Sequence, residues 1–311
     1  MKVLSLFDGV SCARVALERV GIPVEAYYAS EIDKYAIQVS NKNYGSIIHL
    51  GSVTDIGVDK FFNDLPQIDL LIGGSPCQDL SIAKKDRKGL DGERSGLFWE
   101  YVRILNEVKP KYFILENVAS MPKEAKAIIT EALGVEPIMI NASLVSAQNR
   151  KRLFWTNIPN VTLPEDRGIM LKDILEQGEF HGLYSDYNNS TTFDKARTIG
   201  TGCGITRSST CQQVIIKPVR IGKIGKGGQG DRVYSIEGKT TALSALGGGR
   251  GDKTGLYAVK DFVRKLTPIE CERLQGLPDN YTEGVSNTQR YKCCGNAFNV
   301  DVVAHILSFI K

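Results

Sequence analysis

The chain has 311 residues, of which 42% are hydrophobic and 24% are charged, and its formal net charge is +4. This length and balance are typical of one large or two modest globular domains with a sizeable core, and no apolar stretch approaches the length of a transmembrane helix. The seven cysteines contain no CxxC pair, and the N-terminus lacks the features of a signal peptide. We therefore expect a cytoplasmic protein without disulfides and without a metal site.

The first 160 residues alternate between strand-like and helix-like segments. Buried strands are predicted at KVLSLF, VEAYYAS, SIIHLGSV, IDLLIGG and KYFILENV, and helices at CARVALERV, KYAIQVSNKN and GLFWEYVRILNEV. A later pair, VEPIMINASLV and RLFWTNI, extends the sheet. This alternation predicts an α/β fold, a doubly wound and mostly parallel sheet with helices on both faces.

Beyond residue 160 the regular alternation stops. PNVTLPEDRG is typical of a linker, and short β-like pieces (QQVIIKPVRI, RVYSI, LYAV) between glycine-rich clusters indicate a second, small, β-rich lobe. Residues 201–260 hold ten Lys or Arg against three Asp or Glu. Such a basic surface favours a polyanion, with nucleic acid as the first candidate. A solvated region with accidental charge is the alternative. Helical patterning returns with TPIECERLQG and FNVDVVAHILSFI.

The turn after the first strand, LFDGVSC, leads into a helix, so its backbone N–H groups can face a ligand. It is not GxGxxG, which disfavours a dinucleotide pyrophosphate. Glu31 ends the second strand about 22 residues after Gly9, where an acid commonly binds ribose hydroxyls. Asp55 follows the third strand, although a helix cap is its alternative role, and Phe7 offers an aromatic face for adenine. Together these residues suggest S-adenosylmethionine as cofactor.

In GGSPCQDLS, Cys77 lies directly behind Pro76 at the carboxyl end of a buried strand. Ligands gather at that end of open α/β sheets, although a buried packing thiol is the alternative. Glu116, in LENV after the fifth strand, is expected to share the same cleft; a surface carboxylate is its alternative. A thiol beside a carboxyl fits nucleophilic catalysis with a proton donor.

At this point the chain resembles the C5-cytosine DNA methyltransferases over almost its whole length. Nine short motifs occur in that family's order: LFDG, the acid at Glu31, TDI, SPCQDLS, RSGLFWE, ENV, QNRKRLFW, LTPIECERLQGLPDNY and GNAFNVDVV. The resemblance implies a stand-alone bacterial or bacteriophage enzyme. It also implies a catalytic domain of residues 1–160 and 285–311, with an inserted target-recognition lobe at 161–284.

The resemblance implies a mechanism as well. The Cys77 thiolate would attack C6 of cytosine, and Glu116, protonated or sharing a proton, would hydrogen-bond N3. C5 would then take the methyl group of S-adenosylmethionine, a base would remove the C5 proton, and Cys77 would be eliminated. Arg150 and Arg152 match the family's paired arginines near the target base and its phosphate. The cytosine must first be flipped out of duplex DNA, at a cost of about a few kcal/mol.

The resemblance assigns further binding residues by class. Those of the cofactor pocket are Pro76, Leu97, Asn296 and Val300, in addition to Phe7, Gly9, Glu31 and Asp55. Those that contact DNA from a mobile loop are Gln78, Ser81, Lys84, Lys85, Arg87, Lys88, Arg94 and Ser95, and those that read bases from the lobe are Arg232, Thr240 and Thr241. Phosphate contacts of this kind position DNA without carrying sequence information, and an ordinary solvated loop is the alternative.

Ser5, Ser11, Cys12 and Ser75 depart from the common family pattern, which bears on cofactor affinity rather than on the reaction. Three other functions stay open: the same chemistry on RNA, a catalytically inactive DNA-binding relative, and a nucleotide-level C5 methylase. The missing CFT signature speaks against an RNA enzyme. The complete set of catalytic residues speaks against an inactive relative, and the basic lobe speaks against a nucleotide-level methylase. The expected partners are double-stranded DNA and, as a further candidate, a cognate restriction endonuclease; we expect a monomer.

Overall fold

The structure is a computed structural model and describes residues 1–57, 67–76, 96–177, 217–224, 228–245, 254–259 and 262–310. Its strands are β1 (Lys2–Leu6), β2 (Ala26–Ser30), β3 (Ile48–Gly51), β4 (Leu70–Gly73), β5 (Tyr112–Val118), β6 (Ile138–Asn141), β7 (Lys151–Thr156), β8 (Arg220–Lys223), β9 (Arg232–Ser235), β10 (Leu256–Val259) and β11 (Phe262–Arg264). Its helices are α1 (Cys12–Arg19), α2 (Lys34–Asn43), α3 (Leu97–Val108), α4 (Lys123–Leu133), α5 (Pro268–Gln275), α6 (Asn287–Asn296) and α7 (Val300–Leu307).

Seven strands form one sheet in the order β3-β2-β1-β4-β5-β7-β6. The first five strands in that order pair in parallel, and β7 runs antiparallel to both of its neighbours. The chain moves outward from β1 to β3 and then returns to the other side of β1 with β4, so the strand order reverses between β1 and β4. The α/β fold with a mostly parallel sheet is confirmed, and this reversal is where such folds bind ligands.

Both faces of the sheet are covered, which explains why its central strands are mostly apolar. Along β1, Val3 packs into the core shared with α1, α2 and α7, whereas Leu4 and Leu6 pack into the core shared with α3 and α4. Successive side chains of a strand point to opposite faces. Because β1 is buried on both sides, its carboxyl end has a fixed position at the strand-order reversal.

A second sheet has the order β11-β10-β9-β8 and lies within the segment for which the sequence predicts a β-rich lobe. RVYSI and LYAV supply β9 and β10, and the end of QQVIIKPVRI contributes to β8. Residues 212–216 of that stretch lie outside the described residues. Helix α5 packs against α6, so the apolar cluster of this region extends from Tyr234 and Tyr257 to Leu274 and Cys294. The domain boundaries at 161 and 284 stay predictions.

Helix α5 follows the sequence signal closely, whereas α6 does not. Thr267 accepts a hydrogen bond from the N–H of Glu270, whose carboxylate accepts from the N–H of Thr267, so α5 begins with a complete capping box. Helix α6 (NTQRYKCCGN) has few apolar residues at helical spacing and was not predicted, and it ends with Gly295 and Asn296. The glycine-asparagine pair therefore lies at a helix end and not in a free turn. In the part of the chain that is described, no helix is long and apolar enough to cross a membrane.

Candidate active site

A pocket of about 290 Å³ opens at the carboxyl ends of β1, β2, β4 and β5, where the strand order reverses. The sequence predicted nine residues that the structure brings together in its lining: Phe7, Gly9, Glu31, Pro76, Leu97, Glu116, Arg150, Arg152 and Asn296. They come from the segments that follow β1, β2 and β4, from β5, from β7 and the residue that precedes it, and from helices α3 and α6. The pocket therefore joins residues that are up to 289 positions apart in the sequence.

The loop that follows β1 has an uncommon backbone. Phe7, Gly9 and Ser11 have φ angles of 55°, 61° and 60°, in the left-handed region that costs a residue with a side chain about 1–2 kcal/mol. Two long-range hydrogen bonds hold this shape: the Gly9 N–H donates to Glu31 Oε2 at 2.8 Å, and the Tyr281 hydroxyl donates to the carbonyl oxygen of the adjoining Val10 at 2.7 Å. The loop is thus fixed from both β2 and the C-terminal part of the chain.

Asp8 belongs to this loop, and its side chain is buried, with only 5% of the residue exposed. Its carboxylate accepts hydrogen bonds from the hydroxyls of Tyr27 at 2.6 Å and Ser11 at 2.5 Å. Burial raises the pKa of Asp8 to about 6, and the hydrogen bonds from Ser11 and Tyr27 oppose a larger rise. Asp8 was not among the predicted site residues, although an acid inside a glycine turn at the end of a buried strand is a recognisable signal. Ser11, one of the residues that depart from the family pattern, thus donates to this carboxyl group.

Glu31 is held at one end of the pocket by backbone donors. Besides Gly9, the N–H groups of Ile32 and Asp33 donate to its Oε1 at 2.7 and 2.8 Å. An ionised carboxylate offers about four acceptor sites, so these three bonds fix its orientation and leave capacity for a further donor. Ile32 beside it is 76% exposed and lines the pocket with an apolar side chain.

At the other end of the pocket, Arg152 Nε lies 2.7 Å from Glu116 Oε1. Both side chains are largely buried, with 18% and 12% of their surface exposed. The two residues lie on adjacent antiparallel strands, since Val118 of β5 pairs with Arg152 of β7. This ion pair therefore projects from the rigid part of the sheet, and the arginine fixes which way the carboxylate points.

Arg150 is 4% exposed and contacts three carbonyl groups in two separate backbone segments. Its guanidinium donates to the carbonyl oxygens of Gly295 at 3.3 Å, Ala297 at 3.1 Å and Leu243 at 3.4 Å. Asn296, which lines the pocket, lies between two of these carbonyl groups in sequence. Arg150 therefore has a positioning role for the wall around Asn296, in addition to its place in the pocket lining.

Two predicted cofactor residues lie outside the pocket lining. Asp55 is exposed at the end of a 3₁₀ turn (Val53–Asp55), of which Val53 and the preceding Ser52 face the pocket instead. Val300 is fully buried as the first residue of α7 and packs in the core with α1. The sequence could place both residues near the sheet edge, but it could not show which way a single turn orients their side chains.

The predicted base-reading residues differ in exposure. Thr240 is fully buried, and its backbone exchanges hydrogen bonds with Ala147 at 2.7 Å and Asn149 at 3.0 Å, so its side chain is not available to DNA in this conformation. Thr241 and Arg232 are half-buried. The remaining predicted residues, Cys77, Gln78, Ser81, Lys84, Lys85, Arg87, Lys88, Arg94 and Ser95, lie outside the described residues.

The pocket wall also contains an ion pair that was not predicted from the sequence. Lys292 Nζ of α6 lies 2.6 Å from Asp33 Oδ2, and both residues line the pocket. Burial opposes ionisation of Asp33, but the hydrogen bond and charge of Lys292 prevail and lower the pKa of that carboxyl group. Asp33 also caps α2 by accepting from the Tyr35 N–H at 2.9 Å. No local pattern in the sequence signals that Lys292 reaches across the pocket.

The family model that describes the C-5 cytosine-specific DNA methylases matches this chain over residues 1–311. The chain belongs to this family. Among curated relatives, it is 32% identical over 325 residues to the type II methyltransferase M.HhaI of Haemophilus parahaemolyticus, covering 98% of this chain and 93% of that protein. It is 26% identical to the orphan methyltransferase M.SPRI of Bacillus phage SPR, covering 98% and 96%.

Among solved structures, the fold is similar to that of the S. pombe Dnmt2 methyltransferase, with a TM-score of 0.65 at 18% identity over 99% of this chain and 97% of the other. By family the chain is a DNA (cytosine-5)-methyltransferase, and the resemblance seen in the sequence is confirmed. The pocket described above is the candidate active site of this methyltransferase.

The burial of Asp8 predicts a pH-dependent stability. Because its pKa is raised in the folded state, its contribution to stability is full below about pH 3.8 and is lost as the pH rises through about 6. We expect the unfolding free energy of the wild type, relative to Asp8→Asn, to fall by about 1 kcal/mol between pH 5 and pH 7. Denaturant titrations at several pH values measure this difference, with the exposed Asp55→Asn as control. Parallel pH profiles for the wild type and Asp8→Asn would contradict the assignment.

The contacts of Arg150 and Arg152 predict different consequences of the same substitution. Arg150→Met removes the donor to three buried carbonyl groups, so we expect a loss of about 3 kcal/mol in unfolding free energy. Arg152→Met removes the partner of Glu116, so we expect it to lower methyl transfer more than stability. Denaturant unfolding and turnover, measured on both variants, test this contrast. Equal losses of stability in the two variants would show that Arg150 is not the specific positioning residue.

Proposed function

We propose that this methyltransferase uses S-adenosylmethionine to methylate C5 of a cytosine flipped out of duplex DNA, within a specific sequence. The observation that supports this most is one pocket with two different ends. Glu31, held by three backbone donors, lies at one end, and the Glu116–Arg152 ion pair lies at the other. The carboxylate of Glu31 can accept hydroxyl donors of a bound cofactor. The Glu116–Arg152 ion pair can hydrogen-bond a polar base that is flipped into the same pocket.

The residues at the Glu31 end fit an adenosine group. Glu31 has acceptor capacity for a ribose hydroxyl, Phe7 and Ile32 offer aromatic and aliphatic surface for a purine, and Asn296 adds an amide. The loop after β1 lacks the glycine pattern for a pyrophosphate. When bound, S-adenosylmethionine supplies an electrophilic methyl group. We therefore propose that Phe7, Gly9, Glu31, Pro76, Leu97 and Asn296 bind the cofactor. Asp55 and Val300, which lie outside the pocket lining, stay candidate cofactor residues.

Cys77 is the proposed nucleophile because it directly follows Pro76, which lines the pocket between the two ends. Its thiolate adds to C6 of cytosine and pushes an electron pair toward C5, which can then accept a methyl group. Loss of the C5 proton to a base and elimination of the thiolate from C6 restore the aromatic ring. Nearby positive charge favours the thiolate over the thiol, and Arg152 supplies such a charge.

Glu116 is proposed to hydrogen-bond N3 of the cytosine while Arg152 holds its other oxygen. A proton shared between Glu116 and N3 offsets the negative charge that the thiolate addition would otherwise leave on the ring. The pair is largely buried and rests on two paired strands, so it is preorganised before the base enters. Arg150 contributes indirectly, because it positions the wall that contains Asn296.

DNA recognition is proposed for residues 161–284, which include the four-stranded sheet and its basic strand β8. Arg232 and Thr241 stay candidate base-reading residues, and the segment 78–95 is the proposed phosphate-contacting loop. The type II relatives support a role in restriction and modification, beside a cognate endonuclease, whereas the phage relative supports an orphan enzyme. We propose a monomer that acts in the cytoplasm, or in the host cytoplasm if it is encoded by a phage.

Bisulfite sequencing of plasmid DNA from expressing cells tests this proposal. We expect protected cytosines in one sequence context with the wild type and none with Cys77→Ala, because the addition to C6 needs the thiol. Cys271→Ala is a matched control, since it removes a buried packing thiol of α5. Equal protection with Cys77→Ala would refute the nucleophile. If wild-type DNA stays unprotected while cellular RNA is methylated, the substrate class is wrong.

The two ends of the pocket predict a split between binding and turnover. Glu116→Gln keeps the shape of the side chain but cannot share a proton with N3 of the cytosine, so we expect kcat to fall by about 10²–10⁴-fold with little change in the KM for S-adenosylmethionine. Glu31→Gln should instead raise that KM by about tenfold or more, since it replaces an acceptor of charge-assisted hydrogen bonds. Steady-state methyl transfer to duplex DNA measures both parameters. If Glu31→Gln lowered kcat and Glu116→Gln raised the KM for S-adenosylmethionine, the assignment of the pocket's two ends would be reversed.

A further inference from the structure

Gly74 has no room for a side chain, although its backbone is not in the left-handed region. A Cβ atom built on Gly74 would lie 2.6 Å from Cε1 and 3.2 Å from Cζ of Phe298, and 3.2 Å from Oε2 of Glu116. Gly74 follows β4 and precedes Ser75, Pro76 and Cys77. The turn that leads to the proposed nucleophile is therefore in direct contact with one aromatic ring from the C-terminal part of the chain.

Phe298 is well fixed in its position. It is 8% exposed and lies between α6 and α7, in the same apolar cluster as residues of α1 and α7. Its ring also lines a second, much smaller cavity of about 10 Å³, together with Glu116, Arg152 and Phe154. The preceding residue, Ala297, is held through its carbonyl group by Arg150 at 3.1 Å. A ring confined in this way cannot easily withdraw from Gly74.

We propose that Phe298 is a positioning residue for methyl transfer: its ring limits how close the turn 74–76 comes to the Glu116–Arg152 pair, and thereby places the Cys77 thiol. The inference rests on the proposed function of Cys77. Phe298 lies outside the lining of the main pocket, so its effect is transmitted through Gly74 and not through contact with the cofactor.

The physical reason is the short distance over which covalent addition occurs. The sulfur must approach C6 within about 3–3.5 Å, and a displacement of about 1 Å costs on the order of 100-fold in rate. In the proposed function Glu116 binds the base, and Cys77 directly follows the turn 74–76 in sequence. Because Phe298 contacts the turn and shares a cavity with Glu116, it sets the separation of the two reacting partners.

A compensating pair of substitutions tests this role. Gly74→Ala inserts a methyl group against the Phe298 ring, so we expect the single-turnover rate of methyl transfer to fall by about 100-fold. Phe298→Leu lacks the Cε1 and Cζ atoms that this methyl group would meet. We expect Gly74→Ala/Phe298→Leu to recover about tenfold or more of the lost rate, while the affinity for S-adenosylmethionine, measured by calorimetry, changes little in all three variants.

The matched control is the neighbouring glycine. A Cβ atom on Gly73 would meet the Leu6 carbonyl oxygen at 3.0 Å and the Tyr101 ring at 3.1 Å, and not Phe298. Phe298→Leu should therefore bring no recovery to Gly73→Ala. Thermal unfolding of each variant shows that it is folded, and Phe298→Val serves as a second test if the leucine variant is unstable.

The outcomes separate this inference from the proposed function. If the wild-type enzyme methylates DNA and the double variant is as slow as Gly74→Ala, the positioning role of Phe298 is overturned. The same holds if Gly74→Ala turns over normally, or if Phe298→Leu weakens cofactor binding without slowing the transfer. A wild-type enzyme that does not methylate cytosine would instead overturn the proposed function itself.

Discussion

The reversal of strand order between β1 and β4 is the constraint on which the rest of the molecule depends. Because the chain goes from β1 outward to β3 and returns through β4, the loops on the two sides of this point separate and leave a cleft at the carboxyl ends of the strands. Glu31 lies on one side of that cleft, and Glu116 lies on the other. The cofactor end and the base end of the pocket are thus consequences of topology, before any particular side chain is considered.

The backbone of the pocket is held by contacts that come from far along the sequence. Tyr281 bonds the loop after β1, Arg150 bonds the carbonyl groups that flank Asn296, and Phe298 contacts Gly74. Helix α7 in turn packs on α1. The segment that follows the four-stranded sheet therefore completes the site built by the first half of the chain, so both parts are needed for one working pocket.

Much of this arrangement could be predicted, because the sheet itself carries it. Glu31 and Glu116 end strands whose apolar runs are easy to recognise, and Pro76 follows a third, so their shared location follows from parallel pairing. The order of the motifs indicated the family, and the resemblance to that family then indicated Arg150 and Arg152 as site residues.

Local patterns say least where a side chain's position depends on a single turn or on tertiary packing. Asp55 is exposed on a 3₁₀ turn outside the pocket lining, and Val300 and Thr240 are buried, so the roles assigned to these three residues stay predictions. Lys292 lies on a helix with no amphipathic pattern, and its partner Asp33 is 259 residues away. The contact between Lys292 and Asp33 is not encoded by local spacing, because it depends on the packing of α6 against α2.

The central claim is that this pocket brings the thiol of Cys77 to a cytosine held by Glu116 and Arg152. Duplex DNA with 5-fluorocytosine at the target position tests it most directly, because a C5 fluorine cannot leave as a proton and the bond to C6 persists after methyl transfer. We expect a covalent complex that forms only with S-adenosylmethionine and whose digested peptide carries the base on Cys77. A base attached to Cys293, the cysteine that lines the described pocket, or no adduct on DNA that the enzyme otherwise methylates, would contradict the account.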